Sequence, residues 1–204
     1  MSKVQVDTID TRSGTSTMQI GSTNTSTINL GVSGDTVNIP SGVTIANAGT
    51  ATGFGETNTP AFEVKLGSNQ SLSDATWTKI QFNSEVLDTD NDYDSSTNYR
   101  FTPQTAGKYF IYMQILTSGN ANGDWNEGYG SIYKNGSEYS LNHYSLKGTN
   151  SARAMSHVLT AIIDMNGSSD YLEGYAYLDD TATGSAPEIA AANVTRFGGY
   201  RILT

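Results

Sequence analysis

The sequence predicts an all-β protein, and three observations carry that prediction. The chain is 36% hydrophobic but only 15% charged, so its polarity comes from Ser, Thr, Asn and Gly. That mixture is poor in strong helix formers and rich in β-branched and turn-forming residues. Apolar and polar residues alternate over short runs, as in Val37-Asn38-Ile39 and Val43-Thr44-Ile45, the period of a half-buried strand. Two Asn-Gly pairs, Asn135-Gly136 and Asn166-Gly167, mark hairpin turns, whose two central residues need positive φ.

The chain divides by composition. Residues 1–59 hold a single aromatic, Phe54, whereas the rest of the chain's 12 Tyr, 6 Phe and 2 Trp all lie after residue 59. A monomeric segment so poor in large apolar residues cannot bury enough surface to offset its chain entropy. It is patterned nonetheless. Ser16-Thr17-Met18-Gln19-Ile20-Gly21 is echoed ten positions later by Ser26-Thr27-Ile28-Asn29-Leu30-Gly31. Short repeats that cannot bury a face alone must stack on neighbours. Residues 1–59 therefore read as a repetitive β-strand stalk whose apolar edges meet those of other copies. A Ser/Thr-rich linker is the alternative. The glycine- and threonine-rich run 49–58 reads as a hinge.

Residues 60–204 read as one domain. Candidate strands lie at 61–66, 76–82, 99–102, 107–116, 130–134, 137–144, 154–163, 171–178 and 194–203, separated by polar turns. That even spacing is the pattern of a sandwich or barrel.

Charge and composition narrow the function. A net charge of −9 gains nothing from phosphate counterion release, which predicts no nucleic-acid partner and no affinity for anionic membranes. With no cysteine, disulfides, thiolate metal sites and a Cys nucleophile are excluded. The start, Met1-Ser2-Lys3-Val4-Gln5-Val6-Asp7, lacks a signal-peptide core, and no run is long and apolar enough to span a bilayer. The expectation is synthesis in a reducing cytoplasm and export, if any, within a particle.

The order and spacing of several segments resemble a known family. They are Pro60-Ala61-Phe62, Phe82-Asn83-Ser84-Glu85-Val86, Tyr93-Asp94, Phe101-Thr102-Pro103, Ala106-Gly107-Lys108-Tyr109-Phe110-Ile111 and the closing Phe197-Gly198-Gly199-Tyr200. Together they resemble the globular head of the complement-q family, a trimeric jelly roll related to tumour necrosis factor. The resemblance implies a jelly-roll sandwich and a homotrimer, with Tyr109, Tyr112, Phe197 and Tyr200 at the subunit interface. The N-terminal segment, through Val6-Asp7-Thr8-Ile9-Asp10 and the Ser-Thr-x-x-Ile-Gly repeat, resembles repetitive segments of phage tail-fibre proteins. A trimeric head on a thin stalk implies a virion fibre or spike. Its stalk would join other tail or capsid proteins, and its head would meet a host-surface glycan or protein receptor.

Two sites could carry chemistry. Asp88, Asp90, Asp92 and Asp94 alternate in one loop, a carboxylate set that suits an oxygen-ligated Ca²⁺. Counted from Asp88, an EF-hand would need Gly at Tyr93 and Glu at Tyr99, so this is no EF-hand, and a solvated acidic loop is the other reading. Trp125 sits between Asp124 and Glu127 in a polar run. An exposed aromatic between carboxylates suits sugar stacking, while packing onto the sandwich is the alternative. His143 and His157 fall within strands and read as structural. No Gly-x-Ser-x-Gly elbow is present, and only Asp124 and Glu127 form a carboxylate pair near an aromatic ring. The expectation is a binding and structural protein without a catalytic group or redox cofactor. A structural decoration protein with a trimer-clasp head and a polysaccharide-degrading tailspike are the alternatives.

Overall fold

A computed structural model describes residues 20–21, 23–46, 48, 58–119, 125–146, 152–180, 187–191 and 193–202. The chain divides into two units, Met1–Thr52 and Gly53–Thr204.

In the first unit, residues 23–46 form turns and extended segments without strand pairing. Two turns share one design. Asp35 N donates to Val32 O at 3.0 Å and Val43 N to Pro40 O at 3.2 Å, and the third residue of each, Gly34 or Gly42, takes positive φ (97° and 86°). That backbone favours glycine, since an L-residue there carries a steric penalty. Ile20, Ile28, Leu30, Val37, Ile39, Val43 and Ile45 are all exposed. The half-buried strands expected here are therefore absent from a single chain. Alternation supplies an apolar edge, but no described residue covers it.

The second unit contains thirteen strands among its described residues. They are β1 (Ala61–Lys65), β2 (Gln70–Ser71), β3 (Thr78–Lys79), β4 (Ser84–Asp88), β5 (Tyr93–Asp94), β6 (Arg100–Phe101), β7 (Gly107–Ser118), β8 (Trp125–Lys134), β9 (Ser137–Ser145), β10 (Ala154–Met165), β11 (Leu172–Asp180), β12 (Glu188–Ile189) and β13 (Arg196–Arg201). All pairings are antiparallel. One sheet runs β4-β1-β13-β7-β10, with β12 and β2 extending the β13 side of β7. The other runs β5-β6-β11-β8-β9, with β3 also on β11. The long strands pass between sheets: β7 lies in the first, β8 and β9 in the second, β10 in the first, β11 in the second and β13 in the first. The two sheets face each other as a jelly-roll sandwich.

Period-two burial builds the core. Along β7, Tyr109, Ile111, Met113, Ile115 and Thr117 are buried while the intervening residues are only partly so. Phe62 is stacked on Phe101 at 4.0 Å and meets Phe197 edge-on at 5.1 Å, and Phe101 meets Tyr109 at 5.7 Å. Such pairs add to burial through favourable ring geometry. Where β13 crosses β7 there is no room for a side chain. A Cβ at Gly199 would lie 2.5 Å from Ile111 Cδ1 and 2.7 Å from the carbonyl oxygen of Phe110. Gly199→Ala should cost about 1–3 kcal/mol, because backbone must move, and the midpoint of urea unfolding measures it.

Several element boundaries differ from the sequence prediction, each for a local reason. Tyr99 takes φ 49°, outside the strand region, so β6 begins one residue later. In the predicted strand 76–82 only Thr78 and Lys79 pair, against Ala176 and Tyr175. The 130–134 strand begins instead at Trp125. Asn135 and Gly136 both take positive φ and join β8 to β9 as a hairpin. Asn166-Gly167 does not form a hairpin: it links β10 to β11, which lie in different sheets. There the Asn166 side-chain oxygen accepts from the amides of Ser168, Ser169 and Asp170.

Candidate functional site

The residues singled out by sequence scatter over the domain. Trp125 is 2% exposed at the start of β8 and belongs to the hydrophobic core. Its expected role as an exposed sugar platform is corrected: the ring packs inward, and its buried indole N–H meets no acceptor among the described residues. Asp124 lies outside the described residues. Glu127 points out of the same strand and accepts a 2.8 Å hydrogen bond from Tyr129 Oη.

The acidic loop is built for backbone capping. Asp88 accepts from the amides of Asp92 and Tyr93 at 3.1 and 2.9 Å. Asp92 accepts from Gln104 N at 3.2 Å, and burial raises its pKa. Asp94 accepts from the amides of Thr97, Ser96 and Asn98, which hold its carboxyl well below the usual range. The depression beside it, about 390 Å³, is lined by Arg100 as well as Asp92 and Asp94. Among the described residues no group of three or more Asp, Glu or His side chains is gathered to hold a metal ion. The expectation that Asp88, Asp90, Asp92 and Asp94 converge on calcium is thus corrected. The carboxylates of Asp88, Asp92 and Asp94 instead accept from main-chain amides.

The four residues expected between subunits separate into two pairs. Tyr109 and Phe197 are fully buried inside the sandwich, and Tyr109 Oη donates to Thr105 O at 2.7 Å. Their assignment to a subunit interface is corrected. Tyr112 and Tyr200 point outward from the seven-stranded sheet. Tyr112 Oη donates to Glu63 Oε2 at 2.6 Å, and Arg196 Nη1 donates to Glu63 Oε1 at 3.2 Å. Tyr200 packs on Phe110 at 5.5 Å. The same outward face carries Val158 and Ile162 of β10, each 58% exposed. Water-facing β-branched residues beside outward aromatics make an apolar sheet face that no described residue covers.

The six-stranded sheet shows a different outward face, which the sequence did not reveal. Tyr129 and Tyr133 of β8 and Tyr175 and Tyr177 of β11 all project from it. The register puts Tyr129 opposite Tyr177 on one side and His143 on the other. Tyr129 stacks on His143 at 4.2 Å and meets Tyr177 edge-on at 5.3 Å, while Tyr133 stacks on Tyr175 at 4.1 Å. Trp77, 36% exposed, lies over them, 5.5 Å from Tyr177, 5.6 Å from Tyr129 and 6.1 Å from Tyr133. The chain fixes Trp77 from both sides. Ala75 N donates to Leu178 O at 2.9 Å, Thr78 pairs with Ala176, and Asp74 Oδ1 accepts from Asp180 N at 2.8 Å. Two residue pairs along the strands from the Tyr129–Tyr177 row, Glu127 faces Asp179. Its hydrogen bond to Glu127 pushes the Tyr129 phenol up to about 12. The available signal was parity: Tyr129 and Tyr133, like Tyr175 and Tyr177, are even steps apart and share a face.

His157 is structural, as its strand position implied. It is fully buried where β10 crosses the end of β7, its Nε2 3.2 Å from Thr117 Oγ1 and its Nδ1 3.1 Å from Asn142 Oδ1. Burial lowers its pKa to about 4, from 6.5 when unfolded. Between those values the unfolded chain takes up a proton that the folded ring refuses. Stability should therefore fall as pH drops below about 6.5, and the loss should level off below about 4 at roughly 3 kcal/mol. Urea midpoints at pH 7 and pH 5 measure it, and His157→Gln should flatten the difference.

Comparison with known proteins places the fold. No family model matches the chain, and no curated protein matches its sequence. Solved structures do match. Eiger, a tumour necrosis factor from S. frugiperda, superposes with a TM-score of 0.52 at 10% identity, covering 72% of this chain and 94% of its own. Murine APRIL gives 0.50 at 11% identity, covering 70% and 98%. The globular domain of zebrafish complement 1qA covers 71% and 98% at 16% identity, with a TM-score of 0.44 that adds no weight. The domain is a jelly roll similar in fold to the tumour-necrosis-factor proteins.

Proposed function

We propose that this chain is a virion structural protein, a homotrimeric tail fibre or spike whose jelly-roll head attaches to the host surface. The observation that carries the reading is the uncovered apolar face of the seven-stranded sheet, with Val158, Ile162, Phe110 and Tyr200 outward. A closed three-fold assembly buries such a face in every copy. The N-terminal unit makes the same demand, because its Ile and Val side chains are exposed in one chain. The resemblance of that segment to phage tail-fibre repeats supports a role as the virion-proximal stalk. Attachment by such a head is binding, and the proposal assigns no catalytic step.

Sedimentation equilibrium of the full chain is the first test. Three times the chain mass at micromolar concentration is expected, and a stable monomer would end the proposal. Adsorption of the labelled chain to bacterial envelope preparations is the second. A trimer that adsorbs to none of a broad panel would favour a purely structural decoration role.

A further inference from the structure

The geometry points to a glycan-binding site on the outward face of the six-stranded sheet, built on Trp77 and taking a neutral, hydroxyl-rich oligosaccharide. It rests on the attachment reading only for its biological purpose; the site stands on its own chemistry.

Trp77, Tyr129, Tyr177 and Tyr133 form one continuous aromatic surface, each tyrosine within 6.1 Å of the indole centroid. The rings touch one another, so no slot remains for a ligand between them, and a partner must lie across the top. Sugar rings meet that requirement, because their apolar C–H face stacks on aromatic planes. Trp77 is held by strand pairing on its C-terminal side and by the Ala75–Leu178 hydrogen bond on its N-terminal side. Little ordering entropy is then lost on binding.

The margin of the platform selects the ligand. Glu127 and Asp179 face each other two residue pairs away from the Tyr129–Tyr177 row, about 7 Å along the strands. Carboxylates accept bidentate hydrogen bonds from adjacent sugar hydroxyls, and that distance lies within the reach of one sugar unit. The nearby cation, Lys79, is bound to Glu173 at 2.5 Å. Two carboxylates at the margin disfavour sulfated, phosphorylated or sialylated glycans, and the chain's charge of −9 adds to that repulsion. The remaining neighbours favour a sugar over a dry protein interface. Asn126, bonded to Asp179, and Ser145, opposite Glu127, put amide and hydroxyl groups beside the carboxylates, and Leu141 lies opposite Ser131. The platform also lies on the opposite face of the sandwich from Val158 and Ile162, so it stays open when the other sheet is covered.

The test is a fluorescence titration of the full chain with neutral gluco-, galacto-, manno- and N-acetylglucosamine oligosaccharides of four to six units, with sialyllactose and heparin as anionic comparators. Saturable binding of at least one neutral oligosaccharide is expected, with none to heparin. Trp77→Ala should raise Kd by about ten-fold or more, Trp77→Phe by less, and Glu127→Gln together with Asp179→Asn should also weaken binding. Circular dichroism and sedimentation identical to the parent chain establish that the variants are folded. The inference is overturned if no neutral oligosaccharide binds at millimolar concentration, if Trp77→Ala leaves Kd unchanged, or if the anionic comparators bind better. Cell adsorption that survives those outcomes keeps the attachment reading and removes only this site. A monomeric chain that still binds sugar through Trp77 does the reverse.

Discussion

Trp125→Ala should destabilise the jelly roll by about 3–5 kcal/mol, the range for removing a large buried aromatic. The side chain is 2% exposed where β8 begins, and its indole nitrogen approaches Gly119 so closely that a Cβ there would lie 2.5 Å from it. Alanine would leave a cavity at the end of the sandwich that the paired strands β8 and β11 cannot collapse to fill. Trp125→Phe should cost much less, because it removes an N–H that meets no acceptor among the described residues while keeping most of the ring. Urea unfolding of the two variants at pH 7 gives the comparison. Equal losses would show that the indole nitrogen matters more than the ring volume.

Replacing Val158 and Ile162 together by aspartate should convert the proposed trimer into monomers without unfolding the jelly roll. Both residues are 58% exposed in the single chain, so the change touches no core contact and should alter protomer stability by no more than about 0.5 kcal/mol. In the proposed assembly, six new carboxylates would be buried without partners, each at a cost of several kcal/mol. A sedimentation mass reduced to one third, with an unchanged circular dichroism spectrum, is the expected result. A double variant that still sediments as a trimer would move the interface to another surface.

The architecture was legible because alternation survives in the long strands. In β7 and β10, which carry the sandwich, every second residue from Tyr109 and from Met155 is buried or half-buried, and both strands begin where the sequence predicts. The short strands were not legible, since β2, β5 and β12 have two residues each and no period to detect. For the interface residues the resemblance supplied candidates that strand geometry should have divided. Tyr109 and Tyr112 are three positions apart on one strand, as are Phe197 and Tyr200, and an odd step puts each pair on opposite faces. Trp125 was misread because its neighbours Asp124, Asn126 and Glu127 are polar. Polar neighbours fit a strand with one wet face as well as they fit a loop. Trp77 went unnoticed for the converse reason: nothing local marks it, and its tyrosine partners come from strands about 50 and 100 residues away.

Two tyrosines on β9 have a bearing on how this protein behaves when crowded. Tyr139 Oη donates to Ile162 O and Tyr144 Oη to Ser156 O, each at 3.2 Å, so side chains of one sheet's last strand occupy carbonyls on the last strand of the other. Bare carbonyls on a terminal strand invite a foreign strand to add itself, the first step towards insoluble ribbons. Two hydroxyls standing in that row obstruct such growth. Removing both hydroxyls, as in Tyr139→Phe with Tyr144→Phe, should shorten the time a concentrated sample of the chain takes to aggregate.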